Sequence, residues 1–377
     1  MTDYDIAVCG AGPVGLAFAL LLQRRGVPAA RIALIDAKGL DQVAGDPRSI
    51  ALSYGSKKIL EEVGAWPIAV NPIHHIHVSR RGHFGRTLID RQEFGVPALG
   101  YVARYGTLVQ ALAARANEAG VVSIRPAQVL TSDESDSSVT LTLSDARTVS
   151  AAILVQAEGG VFSEQGDKAV RRDYDQTAIV AQVWVSAPLA QRAFERFTEE
   201  GPLALLPQDD GYALVWCVRP AHAAHLRALS DTAFLAELTQ AFGTRLGRFE
   251  RITARAAFPL GLNAHPASSA RTVAIGNASQ TLHPVAGQGL NLGLRDAVVL
   301  AATLAQESTP AALQRYASNR RADRNLTIRL TDTMARAFAS APDGTWSQTL
   351  LGASLGIVDA LNPAKRALAE HLMFGWR

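Results

Sequence analysis

The fold of this chain is decided near its start, where residues 4–15 read Tyr4-Asp-Ile-Ala-Val-Cys-Gly-Ala-Gly-Pro-Val-Gly15. The run from Tyr4 to Cys9 is short, apolar and rich in β-formers, so it predicts a strand. Residues 16–25 predict a helix, with arginines in its last turn and Gly26 just past its end. A second strand is predicted over 31–36. The order strand, glycine turn, helix and strand is typical of the opening of an α/β fold.

Each part of this unit has a physical reason if a dinucleotide binds there. Gly10 permits the tight turn, Gly12 lets the backbone approach a pyrophosphate, and Gly15 lets the helix pack closely on the strand. The N-terminus of the helix presents free N–H groups and partial positive charge to phosphates. Asp36, 21 positions after Gly15, is expected to accept hydrogen bonds from a ribose diol. A chance glycine cluster would lack these matched neighbours, so the pattern predicts dinucleotide binding, although it does not separate NAD from FAD.

The composition narrows the class of protein further. The chain has 377 residues, of which 48% are hydrophobic and 19% charged, and these values exclude general disorder. The net charge of +3 comes without a basic block, so we expect no nucleic acid partner. Cys9 and Cys217 stand outside any CxxC pair, so neither a disulfide framework nor a structural zinc site is expected. The uncharged run 6–22 is interrupted by glycines and follows an acidic start, so we expect a cytoplasmic protein.

A second glycine-rich turn decides between the cofactors. Residues 272–275 predict a strand, and Gly276 opens a turn that leads into a helix through about Leu304. A dehydrogenase that binds NAD needs one such phosphate site, whereas an elongated dinucleotide held by two segments of one sheet needs a second anchor. Gly287 and Gly289 leave room for a flat ring against the backbone, and nearby N–H groups are placed to stabilise negative charge on it. The second turn therefore favours FAD.

The segment from Ile275 to Asp296 resembles the second FAD motif of the class A flavoprotein aromatic hydroxylases, the fold group of para-hydroxybenzoate hydroxylase. Within this family the chain is most similar to the ubiquinone-biosynthesis hydroxylases of the 2-octaprenyl-6-methoxyphenol type. The resemblance covers most of the chain and is weakest over about 140–200 and after 330. The other stretches that carry it are Asp46-Pro-Arg-Ser-Ile-Ala-Leu-Ser53, Ala98-Leu-Gly-Tyr-Val102, Gly201-Pro-Leu-Ala-Leu-Leu-Pro207 and Ala213-Leu-Val-Trp-Cys217.

The resemblance implies an α/β fold with a discontinuous FAD-binding domain. This domain is Rossmann-like, of the glutathione-reductase type, and carries an inserted, mostly antiparallel β-sheet domain for the substrate. A cleft between two such domains is where a ligand is expected. The predicted bounds are 1–70, 98–176 and 262–330 for the FAD-binding domain, 71–97 and 177–261 for the substrate domain, and 331–377 for a C-terminal helical segment.

The resemblance also implies an activity. It indicates an FAD-dependent monooxygenase that hydroxylates the ring of a polyprenylated phenol in ubiquinone biosynthesis, with O2 as co-substrate and NAD(P)H as the usual electron donor. In this family the oxygen is transferred from a flavin C4a-hydroperoxide, so the cofactor supplies the hard chemistry. Two alternatives stay open: a same-fold flavoenzyme that catalyses epoxidation or reduction, and a flavin-poor scaffold in a quinone-biosynthesis complex.

Two departures from the family pattern bear on the cofactors. The second motif usually has Gly-Asp, where this chain has Gly276-Asn277 and therefore an amide without charge. A mid-chain Asp-Gly pair followed by Ser is replaced by Ala157-Glu158-Gly159-Gly160, with Ser163 one place late. Because this segment is associated with FAD and with the nicotinamide, flavin affinity and the use of NAD(P)H both stay open.

Two arginines complete the predicted cofactor site. The resemblance implies that Arg48 approaches the pyrophosphate, where a fixed fork of donors suits phosphate. Arg104 precedes Thr107-Leu-Val-Gln110, a capping-box pattern that predicts a helix over 108–118. The residues predicted to bind FAD are Gly10, Gly12, Pro13, Val14, Gly15, Asp36, Arg48, Arg104, Asn277, Gly287, Gly289, Leu290 and Asn291.

The substrate side is predicted from fewer signals. Residues 203–218 predict a β-hairpin with the four-residue turn 208–211. The resemblance implies that this sheet covers the ring cavity, and Leu205 and Trp216 are the predicted wall residues, with simple sheet core as the alternative. Pro284 and Val285 are predicted beside the substrate.

No side chain is assigned as catalytic, because flavin chemistry requires no nucleophile. His283 and Pro284 are expected near the flavin, with holding of the loop as the alternative for His283. The histidines at 74, 75 and 77 alternate with apolar residues as in a half-buried strand, so no metal site is predicted.

The C-terminal region carries an apolar stretch over 350–361 and then Lys365, Arg366 and Arg377. An apolar strip flanked by cations suits an anionic bilayer, and a helix packed on the FAD-binding domain has the same pattern. We therefore expect a cytoplasmic location, with peripheral contact on the inner face of the membrane or a quinone-biosynthesis complex as the open alternatives.

Overall fold

The computed structural model describes residues 2–46, 48–81, 86–158, 170–264, 269–281, 283, 287–339, 366, 370, 373 and 374. Three sheets and eight helices are present in these ranges, so the predicted α/β class is confirmed.

The strands are β1 (Tyr4–Cys9), β2 (Ile32–Ile35), β3 (Ser49–Ser53), β4 (Val70–Ile73), β5 (His75–Arg80), β6 (Arg86–Asp90), β7 (Gly100–Arg104), β8 (Val122–Ile124), β9 (Val129–Glu134), β10 (Val139–Leu143), β11 (Thr148–Gln156), β12 (Val170–Val185), β13 (Arg192–Phe197), β14 (Pro202–Gln208), β15 (Gly211–Val218), β16 (Phe249–Ile252), β17 (Ala256–Ala264), β18 (Thr272–Ala274) and β19 (Gln280–Thr281). The helices are α1 (Pro13–Arg24), α2 (Leu40–Ala44), α3 (Tyr54–Glu62), α4 (Tyr105–Glu118), α5 (Pro220–Ala228), α6 (Asp231–Phe242), α7 (Gln288–Leu304) and α8 (Pro310–Ala339).

The first sheet has a parallel centre. Its order is β8-β2-β1-β11-β10-β9, and β18 pairs with the end of β11. The pairs among β8, β2, β1, β11 and β18 are parallel, while β9 and β10 continue antiparallel. Strands β1 and β2 are almost wholly apolar and buried, as expected of strands covered on both faces. Their carboxyl ends therefore meet at one edge of the sheet.

Helices α1 and α7 pack together on this sheet at an unusually short distance. A Cβ at Gly293 of α7 would lie 2.8 Å from Cγ2 of Val14 in α1 and 2.9 Å from the Cα of Gly276. Such contacts are closer than side chains tolerate, so this interface depends on glycine. It brings the beginning of the chain and the region after β18 together.

Helix α8 attaches to α7 through buried ion pairs. Arg320 Nε donates to Asp296 at 2.8 Å, and Arg320 Nη1 donates to Asp323 at 2.6 Å. Asp296 is completely buried and also accepts a hydrogen bond from Gln280. Buried charges need such partners, because an unpaired charge in the interior is strongly destabilising.

The second sheet has two different faces. Helices cover one of them, the closed face, and the other, the open face, is turned toward the first sheet. Its order is β19-β17-β12-β15-β14-β13-β5-β6, with β16 paired to β12, and only the β13–β5 pair is parallel. Helices α5 and α6 cover one face and build a core with Phe194, Leu205, Leu214 and Phe234. The mostly antiparallel second sheet predicted from the sequence is therefore present.

A small sheet, β3-β7-β4, lies between the two larger ones. Ile73 and Val102 of this sheet pack with Ala193 of the second sheet. Ser49 on β3 donates to Gln208 on β14, so the two parts of the chain are joined by polar contacts as well as apolar ones.

Most predicted elements agree with the observed ones, and one start is wrong. Helix α4 begins at Tyr105, with Arg104 at its N-cap position, so Thr107 lies within the first turn and does not open the helix. The hairpin turn is confirmed, because Gln208 and Gly211 form the last pair of β14 and β15. Both cysteines are free and buried.

The predicted domain bounds stay a prediction, although the strands locate the sheets. The second sheet draws on 75–90, 170–218, 249–264 and 280–281. Helix α8 continues without a break across residue 330, and most of the predicted segment 331–377 lies outside the described residues.

The core under α6 yields a stability prediction. Phe234 is fully buried, and its ring lies 5.8 Å from that of Trp216. We expect Phe234→Ala to lower the free energy of unfolding by about 3–5 kcal/mol through lost burial and the cavity left behind. Chemical denaturation measures the change. Leu130→Ala is the control, because Leu130 is 59% exposed and should change stability by less than ~0.5 kcal/mol. Equal effects of the two variants would contradict the assigned core.

Candidate functional site

The edge formed by the carboxyl ends of the parallel strands gathers the sequence-predicted site residues. Gly10 follows β1, Asp36 follows β2, Glu158 follows β11 and Gly276 follows β18. Ligands of open α/β sheets bind at such an edge, outside the carboxyl ends of the strands.

The first glycine turn is held tightly against β11. Gly10 has φ +104°, and a Cβ there would lie 2.6 Å from the carbonyl carbon of Ala157 and from the backbone nitrogen of Glu158. A Cβ at Gly15 would collide with the carbonyl oxygen of Gly10. The turn therefore needs glycine at both positions, and it leads directly into α1, where Pro13 is the first helical residue.

Asp36 lies beside this turn and organises it. Its Oδ2 accepts a hydrogen bond from the backbone nitrogen of Ala11 at 2.7 Å, and its Oδ1 accepts one from the backbone nitrogen of Lys38 at 2.8 Å. Burial, and then the charge of Asp36, raise the pKa of Glu158. Each carboxylate oxygen of Asp36 retains a second lone pair, so the side chain can still accept from a ligand hydroxyl.

Arg48 and Tyr105 form a wall opposite Gly12. The guanidinium carbon of Arg48 lies 4.6 Å from the centre of the Tyr105 ring, and Arg48 also pairs with Asp46 at 2.7 Å. A Cβ at Gly12 would come within 3.2 Å of the Tyr105 hydroxyl. The structure thus brings Arg48 close to the glycine turn, as expected, and adds Tyr105. Only its position after Arg104 could have suggested Tyr105 from the sequence.

The second glycine turn is built around Asn291. Its side chain donates to the carbonyl oxygens of Gly287 at 2.7 Å and Ala51 at 3.1 Å, and accepts from the backbone nitrogen of Ser53 and from Ser56. Gly287 has φ +59°, a left-handed conformation that side chains rarely adopt. The Asn291 side chain therefore shapes the start of α7, and the N–H groups of its first turn, Leu290 included, remain for a ligand.

The two glycine turns meet. A Cβ at Gly276 would lie 3.3 Å from both γ carbons of Val14, and a Cβ at Gly289 would lie 3.8 Å from Oδ1 of Asn277. Two N-terminal helix ends, those of α1 and α7, thus lie along one edge with bare backbone around them. This arrangement fits an elongated dinucleotide, since its phosphates and its ring system each need close approach to backbone N–H groups.

The described contacts of the Arg104 side chain lie on the second sheet. Its guanidinium donates to Asp209 at 2.6 Å and to Gln182 at 3.5 Å, both on the second sheet. These contacts join the small sheet, on which Arg104 lies, to the second sheet, and none of them reaches a glycine turn.

His283 links the loop before α7 to the second sheet. It is buried, and its Nε2 lies 2.7 Å from Oε1 of Gln176, with the Tyr174 ring packed edge-on at 5.2 Å. Burial lowers the pKa of His283 to about 4, so the ring is neutral at physiological pH and donates this hydrogen bond. The contact agrees with a loop-holding role. Pro284 and Val285, and the departures at Gly159, Gly160 and Ser163, lie outside the described residues.

Leu205 and Trp216 occupy the closed face of the second sheet. Both are buried, Leu205 completely, in the core under α5 and α6. They are therefore simple sheet core, and the prediction that they wall the cleft is wrong. The alternation of strand residues between two faces decides this, and the sequence alone does not say which face is closed.

The open face of the same sheet carries a carboxyl group that sequence reasoning missed. Glu195 on β13 is half-buried, and burial raises its pKa to about 8. A charged residue between Phe194 and Arg196 is typical of a strand position that faces solvent, so the sequence gave no indication of a functional role for Glu195. Cys217, on β15, has its pKa raised by burial and then by the charge of Glu195.

The histidine cluster is explained by the same alternation. His77 is buried on the closed face, where Arg245 donates to its ring, and His75 lies 3.2 Å from Asp90. Among the described residues, no group of three or more His, Cys, Asp or Glu side chains is placed to hold a metal ion.

Comparisons with known proteins bear on this site. The chain matches the FAD binding domain family over residues 3–330. It is 31% identical over 385 residues to the ubiquinone hydroxylase UbiL of Rhodospirillum rubrum, covering 98% of this chain and 89% of that protein. It is 30% identical over 340 residues to the 3-demethoxyubiquinol 3-hydroxylase of Escherichia coli, covering 85% and 86%. The fold is similar to that of the p-nitrophenol 4-monooxygenase PnpA of Pseudomonas putida DLL-E4, with a TM-score of 0.77, 16% identity, and coverage of 100% and 99%.

The raised pKa of Glu195 predicts how stability depends on pH. Between the ordinary glutamate value of 4.5 and about 8, the folded state keeps a proton that the unfolded state releases, so stability falls as pH rises through this window. Glu195→Gln removes this proton, and we expect its unfolding free energy to fall less than that of the wild type. Denaturant titrations from about pH 5 to pH 8 measure the difference. The exposed Glu250→Gln on β16 is the matched control, and parallel curves for wild type and Glu195→Gln would contradict the prediction.

Proposed function

This chain belongs to the FAD-binding flavin monooxygenases, in the family that contains the ubiquinone-biosynthesis hydroxylases, and we propose that it hydroxylates the aromatic ring of a prenylated phenol in ubiquinone biosynthesis. The family expected from the sequence is thereby confirmed. FAD, when bound, supplies the activation of dioxygen and the transfer of one oxygen atom. The protein supplies position, charge and the exclusion of water.

The observation that carries the proposal is the meeting of the two glycine turns. Val14, Gly276 and Gly293 bring the N-terminus of α1 and the region before α7 to one edge of the first sheet. A protein that binds NAD through the first turn alone has no need of the second. The shared edge suits a flavin dinucleotide, whose pyrophosphate and ring system are far apart.

The residues around that edge form two groups, one for the ribose and phosphates of the cofactor and one for its flavin end. We assign Asp36 to a ribose diol, the turn 10–15 to the pyrophosphate, and Arg48 with Tyr105 to the outer side of the phosphates. We assign the N–H groups of 289–291 to the flavin ring and Asn277 to the ribityl chain. Arg104 stays a predicted contact of the cofactor, because its exposed ion pair with Asp209 uses one nitrogen of the guanidinium and leaves other donors for a ligand.

The two departures from the family pattern affect affinity more than chemistry. Asn277 accepts and donates hydrogen bonds without charge, and its Oδ1 lies near Gly289. Glu158 keeps a carboxyl group at the end of β11, beside Asp36. We infer that FAD still binds and that NAD(P)H remains the electron donor.

The substrate is proposed to bind between the flavin edge and the open face of the second sheet. Contacts at both ends of this space, Ser49 with Gln208 and His283 with Gln176, hold the sheet against the first one. Such closure excludes water, which protects reactive oxygen intermediates from unproductive decay. A prenyl tail would extend along apolar surface.

The partners and location are proposed in coarser terms. A phenolic small molecule is the substrate class. Within the described residues, no helix combines the length and the apolarity needed to cross a bilayer. We propose peripheral contact with the membrane or a quinone-biosynthesis complex, because a polyprenylated substrate partitions into lipid.

The reaction can be tested directly. We expect the purified, FAD-loaded protein, supplied with NADH or NADPH, 18O2 and 2-geranylphenol, to form a ring-hydroxylated product that carries one labelled oxygen. Mass spectrometry of the extracted product measures the incorporation. The protein without FAD is the control. An oxygenated prenyl chain, or a reduced product without label, would instead support the epoxidase or reductase alternative. A protein that stays colourless after FAD is supplied would support the scaffold alternative.

The role of Asp36 makes a second prediction. We expect Asp36→Ala to weaken FAD binding by about 1–3 kcal/mol, because it removes a charged acceptor and frees the N–H groups that hold the turn. Quenching of flavin fluorescence during titration measures the dissociation constant. Asp133→Ala, an exposed carboxylate on β9, is the matched control. A dissociation constant equal to that of the control would refute the assignment.

A further inference from the structure

Glu195 lies at the centre of the open face of the second sheet. On β13 it is paired with Val78 of β5 on one side and with Ala204 of β14 on the other. The row continues across the sheet to Val215 and Val180. Each residue of this row is half-buried, whereas the next row on the opposite face, with Phe194, Leu205 and Leu214, is closed.

The middle of this face lies between two lines of contact with the rest of the protein. Ala193, two residues before Glu195 on the same face, already packs against Ile73 and Val102 of the small sheet. Toward the other end of the sheet, Gln176 meets His283 of the loop that precedes α7. The row of Glu195 runs between these two lines of contact, so it faces the space between the second sheet and the flavin edge.

The surroundings of Glu195 on this face are largely apolar. Its own row contributes Val78, Ala204 and Val215, and the row on one side contributes Ala193 and Ala213. The row on the other side contains Phe197 and Arg80, which are paired across the strands and are both buried. No cation from this face is paired with Glu195 in the part of the chain that the structure describes.

Glu195 itself has no hydrogen-bond or ion-pair partner among the described residues. A carboxyl group in an apolar setting is destabilising unless something satisfies it. A structural role would give it a partner in the protein, as Asp296 has in Arg320. A half-buried carboxyl group without such a partner among the described residues instead points to a ligand that brings its own hydrogen-bond donor.

We propose that Glu195 contacts the substrate, binding the hydroxyl group of the phenol and accepting its proton as the ring is oxygenated. The inference rests on the proposed function and deepens it by naming the protein group that recognises the phenol. It also places the ring of the substrate over β13 and β14.

The proton balance is simple. The step starts from the ionised carboxylate of Glu195, the form that predominates above its pKa of about 8. The O–H bond of the phenol breaks, the proton goes to a carboxylate oxygen of Glu195, and the electron pair stays on the phenol oxygen. This pair raises the electron density at the ring carbons ortho and para to it, and one of those carbons forms the bond to the transferred oxygen. The O–O bond of the reduced dioxygen breaks as the C–O bond forms, and the second oxygen leaves as water after taking up the proton that the ring carbon loses. As the ring becomes aromatic again, Glu195 returns its proton to the original oxygen. The two electrons that reduce dioxygen come from NAD(P)H through the flavin, as in the proposed function.

Binding measurements test the contact without any turnover. Two probes are used, 2-geranylphenol and its methyl ether 2-geranylanisole, which lacks the hydroxyl proton. We expect the wild-type holoenzyme to bind the phenol more tightly than the ether by roughly 10-fold, the value of one hydrogen bond to a buried acceptor. Glu195→Leu should lose this preference, and Glu195→Gln, which keeps an acceptor, should retain most of it. Glu250→Gln is the matched control and should behave as wild type.

Turnover tests the proton transfer. Because glutamine accepts a hydrogen bond but no proton, we expect Glu195→Gln to lose about 10-fold or more in hydroxylation rate. Flavin absorbance shows that the variant still holds FAD, and Glu250→Gln is the control for the hydroxylation rate. Glu195→Ala replaces Glu195→Leu if the latter fails to fold, as judged by retained FAD and the unfolding midpoint.

The outcomes separate this inference from the proposed function. A wild-type preference for the phenol that persists in Glu195→Leu, or no preference in the wild type, overturns the contact. A wild-type hydroxylation rate in Glu195→Gln overturns the proton transfer. If the wild type prefers the phenol through Glu195 but forms no hydroxylated product, the proposed reaction is wrong and the binding role of Glu195 stands.

Discussion

The close approach of α1 and α7 is the constraint on which the rest of the structure depends. A Cβ at Gly293 would lie 2.8 Å from Val14, which leaves no room for one, and a Cβ at Gly276 would lie 3.3 Å from Val14, which is tight. Because of this contact, two segments that are far apart in the sequence lie on one edge of one sheet. A larger residue at Gly293 would separate the helix ends, and two half-sites would remain instead of one.

Polar contacts then place the second sheet over that edge. Asn291 joins the start of α7 to β3 and α3, Ser49 joins β3 to Gln208, and His283 joins the loop before α7 to Gln176. The elements that hold the cofactor edge are thus the same ones that locate the substrate sheet. This shared support fixes the second sheet relative to the glycine turns, where we propose that flavin and ring meet. Their relative position matters more than any nucleophile, since the cofactor carries the chemistry.

The second sheet uses its two faces for different purposes. The closed face, with Leu205, Trp216 and Phe234, buries large side chains under α5 and α6 and supplies stability. The open face carries the half-buried row of Glu195, for which no partner is present among the described residues. A strand presents alternate residues to opposite faces, so a one-residue difference separates a core leucine from a group that faces the ligand.

The sequence by itself determined the cofactor and the family, because glycine turns between strands and helices act locally: Gly10, Gly12 and Gly15 must stand at their spacing for the backbone to approach a phosphate. It also determined β1, α1, α7 and the hairpin at 208–211, where short-range patterns suffice. Only the tertiary structure decided which face of the second sheet is closed, and this corrected the predicted role of Leu205 and Trp216 as cleft walls. It also identified Tyr105 and Glu195 and showed the contact between Arg104 and Asp209. The physical reason is that facing and pairing between distant strands depend on what covers each face, and no local pattern records that.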